Sequence, residues 1–265
     1  MIDTAMIHIV STPLADTLAY YYSNTPAQNG GGYNTLTLLG IGLIILAGLA
    51  GSIIRNRMMA YMQEFSAQPA PYSGAETAAQ MLADNGLNHI RITHTPGQLT
   101  DHYNPGNHSV NLSETVYAAR SVAAMAVAAH ECGHAIQHAQ AYPWLTMRSE
   151  LVPLVNLGSR LGQIVLTIGL ILVAAGGSTT VAWVGLLLFA TTTLFALVTL
   201  PVEFDASRRA LAWMQRSGVA NGAMHGQART ALKWAAMTYV AAALSSIAML
   251  VYYIFLLLNN SKNDH

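Results

Sequence analysis

Four long runs without a charged residue are the feature that most constrains the fold of this chain. They cover residues 35–54, about 161–176, 181–200 and 234–258. A helix of about 20 apolar residues, rising ~1.5 Å per residue, crosses a hydrocarbon core of ~30 Å. Only 9% of the residues are charged, against about 25% in a typical soluble domain. The sequence therefore predicts an integral membrane protein, mostly α-helical, with about four transmembrane helices.

The remaining segments divide the chain around these helices. Transmembrane helix 1 is expected at 35–54, helices 2 and 3 at 151–200, and helix 4 at 234–258. The other parts are an N-terminal extension (1–34), a folded part (55–150), a loop (201–233) and a short tail (259–265). The net charge is zero and there is no basic stripe, so nucleic acid is not an expected partner. A single cysteine, Cys132, excludes an internal disulfide framework.

The basic residues indicate which side of the membrane each segment occupies. Every Lys and Arg except Lys262 lies between helices 1 and 2 or between helices 3 and 4. Positive charge near short loops marks the cytoplasmic side. The sequence therefore predicts that both larger loops are cytoplasmic and that the N- and C-termini are outside.

Local patterns predict a small α+β insertion within the cytoplasmic part. Ser73 and Glu76 form a capping-box pattern before a short helix that Asn85-Gly86 would end. Ile90 and Ile92, and later Val110 and Leu112, alternate as in strands, with the turn signal "NPGN" at 104–107. Another helix is expected at about 121–140, capped by Ser121.

That last helix carries "HECGH" at 130–134. His130 and His134 are four residues apart, so both rings project from one helix face and can share one Zn²⁺. Glu131 is rotated by about 100° from His130 and can reach a metal-bound water as general base, as in the HExxH arrangement. The alternative is an interfacial helix with a polar face, but ionisable groups in a helix of Ala, Val and Met are costly unless paired or metal-bound.

A catalytic zinc needs a third protein ligand. His138 is the next histidine on the helix, but three side chains stacked on one straight helix span about 12 Å and cannot converge on one ion. We interpret His138 either as a group that supports a metal ligand or as a polar residue at the helix end. Glu203, just after Pro201 at the cytoplasmic end of helix 3, is the better candidate for the third ligand. Asp205 lies two residues further on and is a candidate for supporting a ligand without binding the metal. The alternative is an acidic and basic cluster that marks the helix end.

Three stretches resemble the neutral zinc metallopeptidases of bacterial membranes, the YugP type. They are "TDHYNPGNHSVNLSETVYAARSVAAMAVAAHECGHAIQHA", "RSELVPLVNLGS" and "PVEFDASRRA". The likeness spans roughly residues 55–258. It implies a zincin-like insertion in a multi-pass protein of the bacterial inner membrane, with one zinc per chain held by HExxH and a later glutamate. The last stretch is also similar to the E-x-x-A-D element of integral-membrane gluzincins, except that Ser207 replaces the aspartate. Whether Asp205 takes over that supporting role stays open.

The expected activity is that of a metalloendopeptidase that hydrolyses peptide bonds with a zinc-activated water and Glu131 as base. Tyr103 and His102 are candidates for stabilising the oxyanion, and a strand edge around "HSVNLS" could pair with an extended peptide. Expected partners are the lipid bilayer and a peptide or protein substrate, membrane-associated substrates included. Two alternatives remain: a catalytically silent membrane protein that uses the zinc site as a structural scaffold, and a zinc-binding sensor or carrier.

Overall fold

The computed structural model describes residues 35–261, so the N-terminal extension and residues 262–265 lie outside the described residues. Within that range there are seven α-helices: α1 Thr35–Ser66, α2 Gly74–Asp84, α3 Glu114–Tyr117, α4 Val122–Ala139, α5 Pro143–Ala174, α6 Thr180–Arg216 and α7 Gly222–Ser261. Three strands lie between α2 and α3: β1 Arg91–Thr95, β2 His102–Asn104 and β3 Ser109–Ser113. The predicted class, mostly α with a small sheet, is confirmed.

Four of these helices, α1, α5, α6 and α7, are long and apolar enough to cross a membrane, as the uncharged runs predict. They have between 32 and 40 residues each and continue well beyond those runs. Charged residues that flank the uncharged runs, such as Arg and Glu, are themselves good helix formers, so the helices do not end at the first charge. Helix α1, for example, continues through Arg55 and Arg57 as far as Ser66.

The described residues fall into two compact units. One comprises 53–147 and 199–240, and the other comprises 35–52, 148–198 and 241–261. The second unit contains the apolar parts of the four long helices. Its core includes Leu166 and Ala182, where the backbones pack so closely that a Cβ on Gly169 would lie 2.3 Å from the nitrogen of Ala182. Small residues that allow such close approach are typical of helix pairs in membranes.

Large apolar side chains cover the outside of the second unit. Leu46 is 64% exposed and Leu187 is 73% exposed. A soluble protein rarely presents so much contiguous apolar surface, whereas acyl chains can cover it. A hydrogen bond of 2.7 Å between the hydroxyls of Thr193 and Ser246 satisfies both groups inside this unit.

The first unit holds the three-stranded sheet, packed with α2, α3 and α4. The strand order is β1-β3-β2, with β1 parallel and β2 antiparallel to β3. The expectation of a free strand edge around "HSVNLS" is wrong, because that segment forms β3 at the centre of the sheet. Val110 and Leu112 of β3 are fully buried. The open edges belong to β1 and β2.

Both predicted helix starts in this unit are confirmed. The Ser73 side chain accepts a hydrogen bond from the Glu76 amide, and the Glu76 carboxylate accepts one from the Ser73 amide, which completes the capping box. The Ser121 hydroxyl accepts a hydrogen bond from the amide of Ala124 at the start of α4. Ser121 thus fixes where the helix that carries "HECGH" begins.

Candidate metal centre

Helix α4 brings His130 and His134 together one turn apart, with ring centroids separated by 4.7 Å. The helix is rich in alanine, and most of its residues are buried. Gly133, between the two histidines, lies directly against α6: a Cβ there would be 2.6 Å from the carbonyl oxygen of Ala206. Only glycine allows that approach. Ala206 is one turn beyond Glu203, so the same contact brings Glu203 to the histidines.

The carboxylate of Glu203 faces both imidazoles. Its Oε2 lies 3.3 Å from Nε2 of His130 and 3.7 Å from Nε2 of His134. Glu203 is only 2% exposed, and candidate ligand atoms of the three residues all lie within 4.8 Å of one another. Among the described residues, this is the one group of three or more His, Cys, Asp or Glu side chains close enough to hold a metal ion.

The outer nitrogen of each histidine has a partner of its own. Ser207 Oγ lies 3.1 Å from Nδ1 of His130, and Gln137 Oε1 lies 3.0 Å from Nδ1 of His134. Metal-ligating histidines usually donate their second N–H to such an acceptor, which fixes the ring and its tautomer. Ser207, the residue at which the sequence departs from the E-x-x-A-D pattern, thus contacts the second nitrogen of His130.

This donor set fits Zn²⁺. Two imidazole nitrogens and one carboxylate oxygen are the ligands of many catalytic zinc sites, which keep a fourth position open. Two donors that each lie about 2.0–2.1 Å from a tetrahedral zinc are roughly 3.3 Å apart. The observed separations of 3.3 and 3.7 Å are close to that value.

Asp205 does not contact either histidine directly. Its carboxylate accepts a hydrogen bond of 2.9 Å from Nε2 of Gln137 and pairs with Arg208 and Arg209. Asp205 thus contacts Gln137, which in turn lies beside His134. Sequence reasoning missed Gln137 and noted Ser207 only as the replacement for an aspartate, because the contacts of Gln137 with Asp205 and of Ser207 with His130 join different helices.

Glu131 lies beside the cluster and is 8% exposed. Its Oε2 accepts a hydrogen bond of 3.0 Å from the backbone amide of Tyr103. Tyr103 is in the middle of edge strand β2, so the outward-facing amide of that strand holds the carboxylate. Strand β2 and helix α4 are therefore joined at the residue expected to act as base.

Tyr103 and His102, the oxyanion candidates, have other partners in this structure. The hydroxyl of Tyr103 lies 2.9 Å from Nδ1 of His138, and Nδ1 of His102 lies 2.8 Å from the carbonyl oxygen of Thr100. Burial raises the pKa of the Tyr103 hydroxyl, which therefore stays protonated at neutral pH. His138 contacts Tyr103 and is not part of the three-residue cluster.

A buried carboxyl group that sequence reasoning missed, Asp101, lies two residues before Tyr103. It accepts hydrogen bonds from the amide and the hydroxyl of Ser113, at 2.7 and 2.9 Å. Burial raises the pKa of Asp101 most, the two Ser113 contacts oppose that rise, and the charge of Glu131 adds to it. These contacts anchor β2 to the end of β3 and so position the Tyr103 amide.

Cys132 takes no part in the cluster. Its thiol is fully buried and lies 3.7 Å from the carbonyl oxygen of Ala78. Burial, and to a lesser extent the charge of Glu131, raises the pKa of the thiol far above its ordinary value. A buried neutral thiol is neither a nucleophile nor a metal ligand, which leaves a packing role.

The chain is similar to known proteins over most of its length. The model of the family described as "Putative neutral zinc metallopeptidase" matches residues 36–258. A Bacillus subtilis (strain 168) protein named "Putative membrane protease YugP" is 40% identical over 192 residues, which are 72% of this chain and 84% of the relative. No solved structure shows significant similarity to the chain. With its four apolar helices, the chain is a membrane protein that belongs to the putative neutral zinc metallopeptidase family.

Proposed function

We propose that this protein is a membrane zinc endopeptidase of the gluzincin type. The observation that carries the proposal is the convergence of His130, His134 and Glu203 on one point, with Glu131 on the same helix. We assign the first three residues to zinc and Glu131 to proton transfer. Zinc bound there would supply Lewis-acid activation of a water molecule and of the scissile carbonyl group.

Glu131 is placed to move protons because only one of its oxygens is held by the protein backbone. Oε2 accepts the Tyr103 amide hydrogen bond, which fixes the orientation of the carboxylate. We assign Oε1 as the atom that takes a proton from water and later delivers it to the leaving amine.

The substrate is expected to bind as an extended peptide along strand β2. This strand lies at an edge of the sheet. The outward amide of Tyr103 is used by Glu131, so a peptide would pair through the outward carbonyl oxygen of Tyr103. Main-chain pairing at such an edge would place a peptide bond beside the base without selecting a particular side chain. Tyr103 and His102 remain our candidates for donors to the oxyanion, which requires the Tyr103 hydroxyl to turn from His138.

Removal of zinc tests the proposal most simply. Treating the purified protein with a chelator should abolish hydrolysis of a casein-like substrate, and adding back about one zinc per chain should restore it, because the metal supplies the activation. Circular dichroism of the treated protein serves as the control for unfolding. Full hydrolysis by a protein shown to contain no metal would contradict the proposal.

We also propose that the cluster faces the cytoplasm, since the basic residues flank the segments that carry it. Cys132 is buried, so an introduced cysteine can be labelled without background. On intact cells, a membrane-impermeant maleimide should label Ser178→Cys, in the turn between α5 and α6, but not Asn221→Cys, between α6 and α7. Both positions are exposed. The reverse pattern would refute this orientation.

A further inference from the structure

Gln137 has a fully buried side chain in the first unit, one turn after His134 on helix α4. Its amide nitrogen donates two hydrogen bonds to α6, one of 2.8 Å to the carbonyl oxygen of Val202 and one of 2.9 Å to Oδ2 of Asp205. Its amide oxygen lies 3.0 Å from Nδ1 of His134. All three polar contacts of the amide therefore converge on the residues around the cluster.

These contacts fix which end of the amide faces His134. A carbonyl oxygen and a carboxylate oxygen can only accept hydrogen bonds, so the group facing Val202 and Asp205 must be the NH₂ group. The oxygen of Gln137 then faces Nδ1 of His134, and an amide oxygen can only accept. Nδ1 must carry the proton, which leaves the lone pair of His134 on Nε2, the atom nearest Glu203.

Asp205 is held in place by two arginines. It is 3% exposed and pairs with Arg208 and Arg209, so it stays a charged acceptor for the Gln137 amide. Arg209 donates a hydrogen bond of 2.6 Å to Oε1 of Gln140. Its guanidinium group also makes a cation–π contact with the ring of Tyr142. A continuous set of contacts thus runs from Arg209 through Asp205 and Gln137 to His134.

We propose that Gln137 is a positioning residue that sets the tautomer and ring orientation of His134 for metal binding, with Asp205 fixing the direction of the amide. The inference rests on the proposed zinc site and assigns a function to a residue outside the ligand set. Gln137 does not touch the metal position; it acts through His134. Loss of such an outer contact typically lowers metal affinity about 10–100-fold.

Gln137→Met tests the inference, because methionine fills a similar volume and offers no strong acceptor to Nδ1. We expect the Kd for zinc, measured by competition with a chromophoric chelator, to rise about 10–100-fold. Gln63→Met is the matched control: it makes the same exchange at an exposed glutamine on α1 of the same unit, outside the set of contacts that runs from Arg209 to His134. Its Kd for zinc should match that of the wild type.

Gln137→Glu separates positioning from a merely structural role. A carboxylate still accepts the hydrogen bond from Nδ1 but loses both amide donors and faces Asp205 with a like charge. We expect this variant to lose thermal stability without metal yet to bind zinc more tightly than Gln137→Met does. A structural bridge between α4 and α6 would give the opposite order, since the glutamate breaks both contacts with α6.

Equal zinc affinity of the wild type and Gln137→Met would overturn this inference and leave the zinc site standing. Zinc binding by Gln137→Glu that is no tighter than that of Gln137→Met would also overturn it. Failure of the wild-type protein to bind zinc would overturn the proposed function as well. The two failures are therefore distinguishable by the wild-type titration alone.

Discussion

Replacing Glu131 by glutamine should lower kcat/KM for peptide hydrolysis by about 10²–10⁴-fold while zinc binding is retained. General acid–base catalysis by one positioned side chain contributes about that factor. Glutamine has the same shape and can still accept the Tyr103 amide hydrogen bond through its oxygen. It cannot take up the proton from water, so the variant should keep the fold and the metal but lose the reaction.

The measurement is hydrolysis of a casein-like substrate by wild type and Glu131→Gln at equal zinc content. Glu114→Gln is a matched control, because Glu114 is an exposed glutamate of the same unit and its loss should leave the rate unchanged. Unchanged proteolysis by a zinc-loaded Glu131→Gln protein would rule out Glu131 as base. If the wild-type protein binds zinc but cleaves no substrate, that result would instead support the alternative in which the zinc site is a structural scaffold.

Replacing Glu203 by glutamine should weaken zinc binding by more than about 100-fold. That is more than the effect of replacing a residue that only hydrogen-bonds to a metal ligand. Glu203 is the anionic member of the cluster and is almost fully buried. A neutral amide is a poor zinc ligand, and two imidazoles alone leave a tetrahedral ion half-coordinated. Activity should fall with zinc occupancy and should recover in part at high zinc concentration.

Zinc content after dialysis and the Kd from chelator competition measure this effect. Asp205→Asn is an informative companion: Asp205 lies on the same helix and is equally buried, but it reaches His134 only through Gln137. Its effect on the Kd should be smaller than that of Glu203→Gln. A Glu203→Gln protein that binds zinc as tightly as wild type would show that the third ligand lies elsewhere.

Local patterns were sufficient to predict much of this architecture. The capping box at Ser73 and Glu76 and the cap at Ser121 depend on neighbours within three residues, and both are present. The i, i+4 spacing of His130 and His134 likewise places both rings on one face of α4. Exclusion of His138 from the cluster followed from helix rise alone, and the structure gives His138 another partner, Tyr103.

Contacts between distant parts of the chain could not be predicted from such patterns. The place of β3 at the centre of the sheet depends on β1 pairing with it in parallel across a long connection, which periodicity does not reveal. No local pattern singled out Gln137, and Ser207 stood out only as the replacement for an aspartate. Both acquire a role only when Gly133 brings α4 against α6.

The most direct test of the zinc site is to locate the metal in the intact protein. Zinc-edge anomalous scattering from crystals of the zinc-loaded wild type would give its position. We expect two nitrogen ligands, from His130 and His134, at about 2.0–2.1 Å and a Glu203 oxygen at about 2.0–2.2 Å. A zinc ion more than ~3 Å from the Glu203 carboxylate in an intact site would contradict the assignment, because no carboxylate–zinc bond is that long.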